Sequence, residues 1–413
     1  MTSEHPPIAI FEREVHEQTG LRIGGHPWLK PVRFAGVRPV AMDDYPFWNL
    51  EGKEVHEVAV GPIHAGVIEP GSFRFQCLGE QVHHLEIHLG YQHRGVERRL
   101  LEREPLTLTP LVETIAGDTS IAHAWAHCAA LERLGGCELD TEHEIARAFA
   151  LELERVAMHL AGLAGLAADV GFLQGATSYG RLRTTAINTT MKLCGSRFGR
   201  GALRPGGIRM RLTPEIAREV RANLALLRED VAIVDECFLS ARSVQHRLRG
   251  VGTVPADRAR EIGLVGLAAR ASGLSVDART QRKHGAYATA PIESVVLPDG
   301  DCWARARIRI DEIGVSLAWL ADVLDRFPSW DRPNGVVGAL APDTLAVAVV
   351  EGWRGEVVHC VETDANGRIA HYKVQDPSLR NWMGLACAVR KNEISDFPIC
   401  NKSFDLSYCG NDL

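Results

Sequence analysis

One run of residues constrains the fold more than any other: Ile145, Phe149, Leu153, Val156, Leu160 and Leu163 recur every three or four positions. That spacing puts all six on one face of a helix about five turns long. Thr141-Glu142-His143-Glu144 stands just ahead. It reads as a capping box, with a hydroxyl at the N-cap and a carboxylate three residues on. An apolar stripe this long is stable only when other helices cover it. Two candidates follow. Thr213-Pro214 opens a helix with Pro in its first turn, carrying Val220, Leu224, Leu227, Val231 and Val234 on one face. Ile310 to Phe327 reads as another.

Strand signals lie on either side of this helical middle. Val55, Val58 and Val60 fall in one strand, Phe73, Phe75 and Cys77 alternate in the next, and Val82 to Ile87 form a third. Leu345–Val350 and Glu356–Glu362 read as two more, and a turn at Asn366-Gly367 leads to Arg368–Val374. The expected class is α+β: a central long-helix bundle with small flanking sheets.

Composition narrows the function. With 46% hydrophobic and 24% charged residues, the 413-residue chain is globular. A net charge of -6 is too mild to imply a nucleic-acid partner. The most apolar stretches, Leu160 to Phe172 and Val336 to Val350, are too short to span a bilayer, and Met1–Pro7 has no signal-peptide character. No two of the ten cysteines are three apart, which argues against a zinc ribbon or a cluster held by this chain. They read as reduced, mostly buried thiols. His83, His84 and His88 alternate in and out of their strand, and solvent-facing positions are expected there before a metal site. Arg155 and His159, four apart, read as a packing or ion-pair feature. The glycine-rich stretch 199–207 lacks a nucleotide-binding pattern.

Several blocks, in order, carry a resemblance. They are Gly61-Pro62-Ile63-His64 through Phe75, Leu89-Gly90-Tyr91-Gln92-His93-Arg94-Gly95-Val96-Glu97, Glu152-Leu153-Glu154-Arg155 through Leu160, and Ala269-Arg270-Ala271-Ser272-Gly273-Leu274 with Asp277-Ala278-Arg279. Together they resemble the large subunit of group 4, membrane-bound NiFe hydrogenases and the 49-kDa-type subunit of respiratory complex I. The resemblance covers residues 54–413. Residues 1–53 form an N-terminal arm, in which Glu12–Gly20 and Gly24–Leu29 resemble the tail of the complex I 30-kDa-type subunit.

In the hydrogenases two Cys-x-x-Cys pairs hold the metal. The aligned positions here are Ala116, Thr119, Ser407 and Gly410. Soft thiolates suit nickel and iron; two hydroxyls and two positions without a donor do not. Cys409 is one residue out of register. The quinone-binding His and Tyr of complex I align with Pro70 and Gly117, and an Arg near its cluster aligns with Thr114. Polar residues remain: Asp118 and His123 on the first emptied loop, Asp405 on the second, and Glu69 where hydrogenases relay protons. Arg74, Arg279 and His284 are expected to face the same cavity. These groups could pass protons, or simply pair and fill the space.

The resemblance implies a peripheral subunit on the cytoplasmic face of the cell membrane. It implies a small partner subunit holding a 4Fe–4S cluster, a complex I 30-kDa-like subunit and membrane-embedded antiporter-like subunits. No cofactor is expected on this chain. The expected function is coupling of electron transfer at the partner's cluster to ion translocation without a NiFe centre. The alternatives are a quinone-reactive NADH-quinone oxidoreductase protein of the 49-kDa type with an altered pocket, and a redox-inert scaffold.

Overall fold

The computed structural model describes residues 1–413 except 38, 39, 65–67, 283 and 284. After the arm helix α1 (Ala9–Thr19), the principal helices are α2 (Ser120–Leu134), α3 (Thr141–Asp169), α4 (Leu173–Cys194), α5 (Pro214–Ser240) and α6 (Cys302–Arg326). Near the C-terminus lie α7 (Pro377–Val389), α8 (Phe397–Phe404) and α9 (Tyr408–Asp412). Helix α3 is the axis of the bundle, packed against α4 and α6, with α2 beside it. Ile145, Phe149, Leu153, Val156, Leu160 and Leu163 are all fully buried, as their spacing requires. The cap differs by one residue. Asp140 is the N-cap and accepts from the His143 amide at 3.0 Å, so Thr141 is already helical. A carboxylate three residues before His143 outcompetes the hydroxyl, since Asp caps at least as well as Thr and also favours the positive helix end.

Two antiparallel meanders flank the bundle. One is β1 (Val55–Val60), β2 (Ser72–Leu78) and β3 (Gln81–His88). A short hairpin, β4 (Leu203–Arg204) with β5 (Gly207–Ile208), sits in the 199–207 stretch. The other meander is β6 (Leu345–Glu351), β7 (Glu356–Thr363) and β8 (Ile369–Gln375). Alternation in β2 buries Phe73 and Phe75 and turns Arg74 outward. Arg74 pairs with Glu57 at 3.3 Å and lies over the Phe47 ring, so it does not face the cavity.

The arm is strapped across β3. Lys30 meets Glu86 at 2.6 Å with both side chains buried, and Glu17 accepts from the amides of Val32, Arg33 and Ala35. This cover overturns the solvent-facing expectation for His88. Its ring is buried and stacked on Tyr45 at 4.4 Å, and burial lowers its pKa to about 4. His83 is exposed and His84 half-buried. The cysteines also differ from expectation. All ten are free, but only Cys77, Cys128, Cys302 and Cys400 are buried, and Cys237 is exposed.

Candidate functional site

The segment holding Ala116 and Thr119 runs into α2; Ser407 lies between α8 and α9, and Gly410 lies within α9. Arg94 ties them together: its guanidinium donates to the carbonyls of Thr114, Ile115 and Cys409 at 2.7, 2.9 and 3.2 Å. Arg354, on the turn between β6 and β7, ties them again. It grips Asp118 with two bonds of 2.7 Å, reaches the Thr119 hydroxyl at 3.2 Å and donates through Nε to the Asp405 carbonyl. The Trp353 ring lies 3.8 Å from this guanidinium, and Trp353 Nε1 donates to the Asp118 carbonyl. Burial works against the Asp118 charge, but Arg354 outweighs it and holds the carboxyl below its usual range.

Asp376 does the same from behind. It is the N-cap of α7, accepting from Ser378 N, and its other oxygen meets His123 Nε2 at 3.1 Å. Burial opposes its charge, and the bond from His123 keeps its carboxyl low. A Cβ on Gly410 would lie 2.6 Å from this carboxylate and 2.9 Å from Ser407 Oγ. The space of a side chain at 410 is therefore taken by Asp376. Ser407 caps α9, accepting from Gly410 N at 2.9 Å. Ala116 is fully buried and Thr119 nearly so. The four aligned positions thus present no thiolate, and their surroundings are paired by two residues, Arg354 and Asp376. The donor set does not fit a four-thiolate centre.

Behind Asp376 runs a chain of buried side chains. His123 Nδ1 meets His359 Nε2 at 3.1 Å, His359 Nδ1 meets the Tyr372 hydroxyl at 2.9 Å, and that hydroxyl meets His127 Nδ1 at 2.8 Å. Burial lowers the pKa of His127 to about 3, holds His359 well below the usual range and raises Tyr372 well above its own. His127, His359 and Tyr372 therefore carry one proton each. A carboxylate only accepts, so His123 donates to Asp376 through Nε2. In the arrangement with one proton on His123, Nδ1 accepts from His359, whose Nδ1 accepts from Tyr372, whose oxygen accepts from His127, and every proton points towards Asp376; a second proton on His123 reverses the three outer bonds. At the far end His127 Nε2 is buried without a partner among the described residues.

The residues expected from sequence are thus distributed. Asp118 and Asp405 meet through Arg354. His123 stands one step behind, on Asp376. Glu69 lies at the start of α9, accepting from the amides of Tyr408 and Cys409 at 3.2 and 3.4 Å. Asp405 adopts a left-handed conformation, φ 55°, and pairs with Lys402 at 3.0 Å. Cys409, 3.4 Å from Ser407 Oγ, has its pKa pushed up to about 11 by burial and Glu69. Arg279 is buried elsewhere, in a charged core with Asp277 and Glu152. There Arg155 pairs with Glu312 and His159 hydrogen-bonds it at 2.7 Å, so the two residues serve packing and ion pairing together. His284 lies outside the described residues. Sequence reasoning missed Arg354, Asp376, His359, Tyr372 and His127. The signals present were Asp376-Pro377, a helix-start pattern, and the inward alternation of His359 and Tyr372 on paired strands.

Comparison with known proteins agrees with this architecture. Residues 169–335 match the family model described as the respiratory-chain NADH dehydrogenase 49 Kd subunit. Formate hydrogenlyase subunit 5 of Escherichia coli (strain K12) is 29% identical, over 98% of this chain and 75% of that protein. Membrane-bound hydrogenase subunit alpha of Pyrococcus furiosus is 28% identical, over 84% of this chain and 85% of that protein. An NADH-quinone oxidoreductase protein of Phocaeicola vulgatus is 27% identical, over 84% of this chain and 73% of that protein. Among solved structures, a chain of the membrane-bound sulfane sulfur reductase, an archaeal respiratory membrane complex, superposes with a TM-score of 0.80. The match covers 87% of this chain and 99% of that one; at 23% identity the likeness establishes the fold. Among the described residues no helix is long and apolar enough to cross a membrane.

Proposed function

We propose that this chain, a member of the family joining group 4 hydrogenase large subunits to the complex I 49-kDa protein, handles protons in a coupling role without a NiFe centre. Its relatives belong to membrane-bound hydrogenase and complex I-like complexes, so the general kind is established. The finer reading rests on the chain from His127 to Asp376. A proton taken up at His127 Nε2 and a shift of each bonded proton by one position deliver a proton to Asp376, without moving a heavy atom. The acceptor lies against Gly410, where the relatives' metal ligand would stand. In this reading a 4Fe–4S cluster on a small partner protein changes charge nearby. Asp376 and the Asp118–Arg354 pair respond by binding or releasing a proton. A 30-kDa-like protein and antiporter-like membrane proteins complete the assembly, on the cytoplasmic face of the membrane.

The test is Tyr372→Phe in the native complex. It removes one hydroxyl and breaks the chain between His127 and His359. Ion movement per electron is expected to fall by about tenfold or more, the scale of losing a positioned proton-transfer group, while the partner's cluster is still reduced. Unchanged coupling would overturn the proton path. It would favour a second reading, a redox-inert scaffold, which the complete pairing of Asp118, His123 and Asp405 also supports. Stoichiometric nickel in the purified complex would overturn the metal-free reading. A cluster EPR signal that changes on adding quinone would instead favour a quinone-reactive protein.

A further inference from the structure

The first residue of α6 is Cys302, and Cys400 projects from the middle of α8 towards it. Both are fully buried. A Cβ on Gly252 would lie 2.7 Å from Cys400 Sγ and 3.1 Å from Cys302 Sγ, so both sulfurs crowd one point. Those two distances place the sulfurs no more than 5.8 Å apart. Arg305 Nη2 lies 3.4 Å from Cys302 Sγ, and its Nε donates to Ser403 Oγ. This is the setting of a reactive thiol: a long helix's N-terminus, an adjacent guanidinium and a second thiol close by. Cys77 and Cys128 are equally buried, and burial raises both above the usual thiol range.

We propose that Cys302 and Cys400 form a redox-active thiol pair that closes to a disulfide when hydrogen peroxide reaches it, fixing α8 to the start of α6. Access is through the turn above the pair, where Arg249, Gly250 and Thr253 are exposed and Gly250 and Gly252 take positive φ. The Cys302 thiolate attacks one peroxide oxygen. An S–O bond forms, the O–O bond breaks, and the departing hydroxide takes up the thiol's proton as water. Cys400 sulfur then attacks the sulfenic sulfur. The S–S bond forms, the S–O bond breaks, and the second hydroxide leaves as water with the Cys400 proton. Two thiols and one peroxide give one disulfide and two waters. Burial works against the Cys302 thiolate, but the Cys400 thiol and Arg305 bring its pKa down to about 6, while Cys400 is held well above the usual range. Cys302 is accordingly the attacking sulfur and Cys400 the resolving one. The consequence reaches the candidate site. Oxidation removes the anion beside Arg305, whose carbonyl accepts from Arg309, and Arg309 borders the same point near Gly162 as the Asp405 carboxylate.

The experiment treats the anaerobically purified full-length chain with one equivalent of hydrogen peroxide. Free thiols are alkylated after acid quenching, and peptides are mapped by mass spectrometry without reduction. The expected product is a Cys302–Cys400 linked peptide, two hydrogens lighter, restored by dithiothreitol. It should form at least about tenfold faster than any oxidation at Cys77 or Cys128. In Cys400→Ser, dimedone should trap a sulfenic acid at Cys302. Oxidation confined to exposed Cys237, or a 302–400 link appearing only in denaturant, overturns the proposal. Cys400→Ala provides a second variant should the serine disturb packing.

Discussion

Gly410 shows how a position without a side chain can already be filled by a neighbour. Its missing side chain is not empty space, because the Asp376 carboxylate stands 2.6 Å from where a Cβ would be. Gly410→Ala is therefore expected to cost about 1–3 kcal/mol, the range for overpacking a filled interior. The matching test is a cycle with Asp376→Ala: the double variant should recover part of the loss in urea midpoint, since the clash is pairwise. Additive losses would show that the crowding lies elsewhere. Arg354→Met tests the other pair. Asp118 is partly exposed, 38% by side chain, so the expected loss at pH 7 is about 1–3 kcal/mol, below that of a fully buried pair. The folded pKa of Asp118 lies below its unfolded value. The stability that Arg354 contributes is thus present above the unfolded pKa and lost as pH falls through the folded one. Wild type and variant should converge in acid. At this scale the sequence made Asp118, His123, Asp405 and Glu69 visible, because they are polar residues beside the four aligned positions 116, 119, 407 and 410. Their partners did not stand out: Arg354 lies 236 positions from Asp118, and Asp376 lies 253 from His123. No spacing rule reaches that far.

Among elements, periodicity was readable, and so was the Thr213 cap of α5, while the cap of α3 fell one residue from its expected place. The six apolar positions of α3 gave the helix; its polar face needed the structure. That face holds Glu152, Arg155 and His159 against Glu312 and Ser316 of α6, all buried. A different side of the same helix supplies a cap to α2. Glu154 accepts from the amides of Ile121 and Ala122 at 2.8 and 3.4 Å, at the start of α2 beside the segment holding Ala116 and Thr119. Burial raises its pKa from 4.5 to about 8, the amides pull the other way, and the Asp118 charge adds to the rise. The folded chain thus holds a proton that the unfolded chain releases. Its contribution to stability falls as pH climbs from about 4.5 to about 8 and is level above that. Glu154→Gln should flatten this part of the stability–pH curve, gaining relative to wild type at pH 8 and not at pH 5. An unchanged slope would mean that the amides dominate and the carboxylate is already ionised.

For the whole molecule, the α+β class and the flanking sheets followed from spacing, because each depends on neighbours within a few residues. The arm's place did not, because it is set by ionic and ring contacts made tens of residues away. Lys30 to Glu86 and Tyr45 over His88 turn a sheet face that alternation alone would leave wet into interior. The arm thereby contributes to the stability of the sheet behind Glu69. A chain beginning at residue 54 leaves Glu86 without Lys30, Gln76 without its bonds to Trp48 and Asn49, and His88 uncovered. The expected outcome is a lower thermal midpoint with little change in helical circular dichroism, since the bundle around α3 makes no use of the arm's buried pairs. The pH dependence should change in a stated direction. In the intact chain His88 is held neutral down to about pH 4, whereas the unfolded chain protonates it near 6.5, so stability falls as pH drops through that window. His159, also lowered to about 4, contributes the same slope from the bundle and is untouched by truncation. The truncated chain should therefore keep part of the acid-side slope and lose the part due to His88. A His88→Gln substitution in the full chain should remove the same part. Truncation that leaves the slope intact would mean that the arm does not govern the state of this histidine.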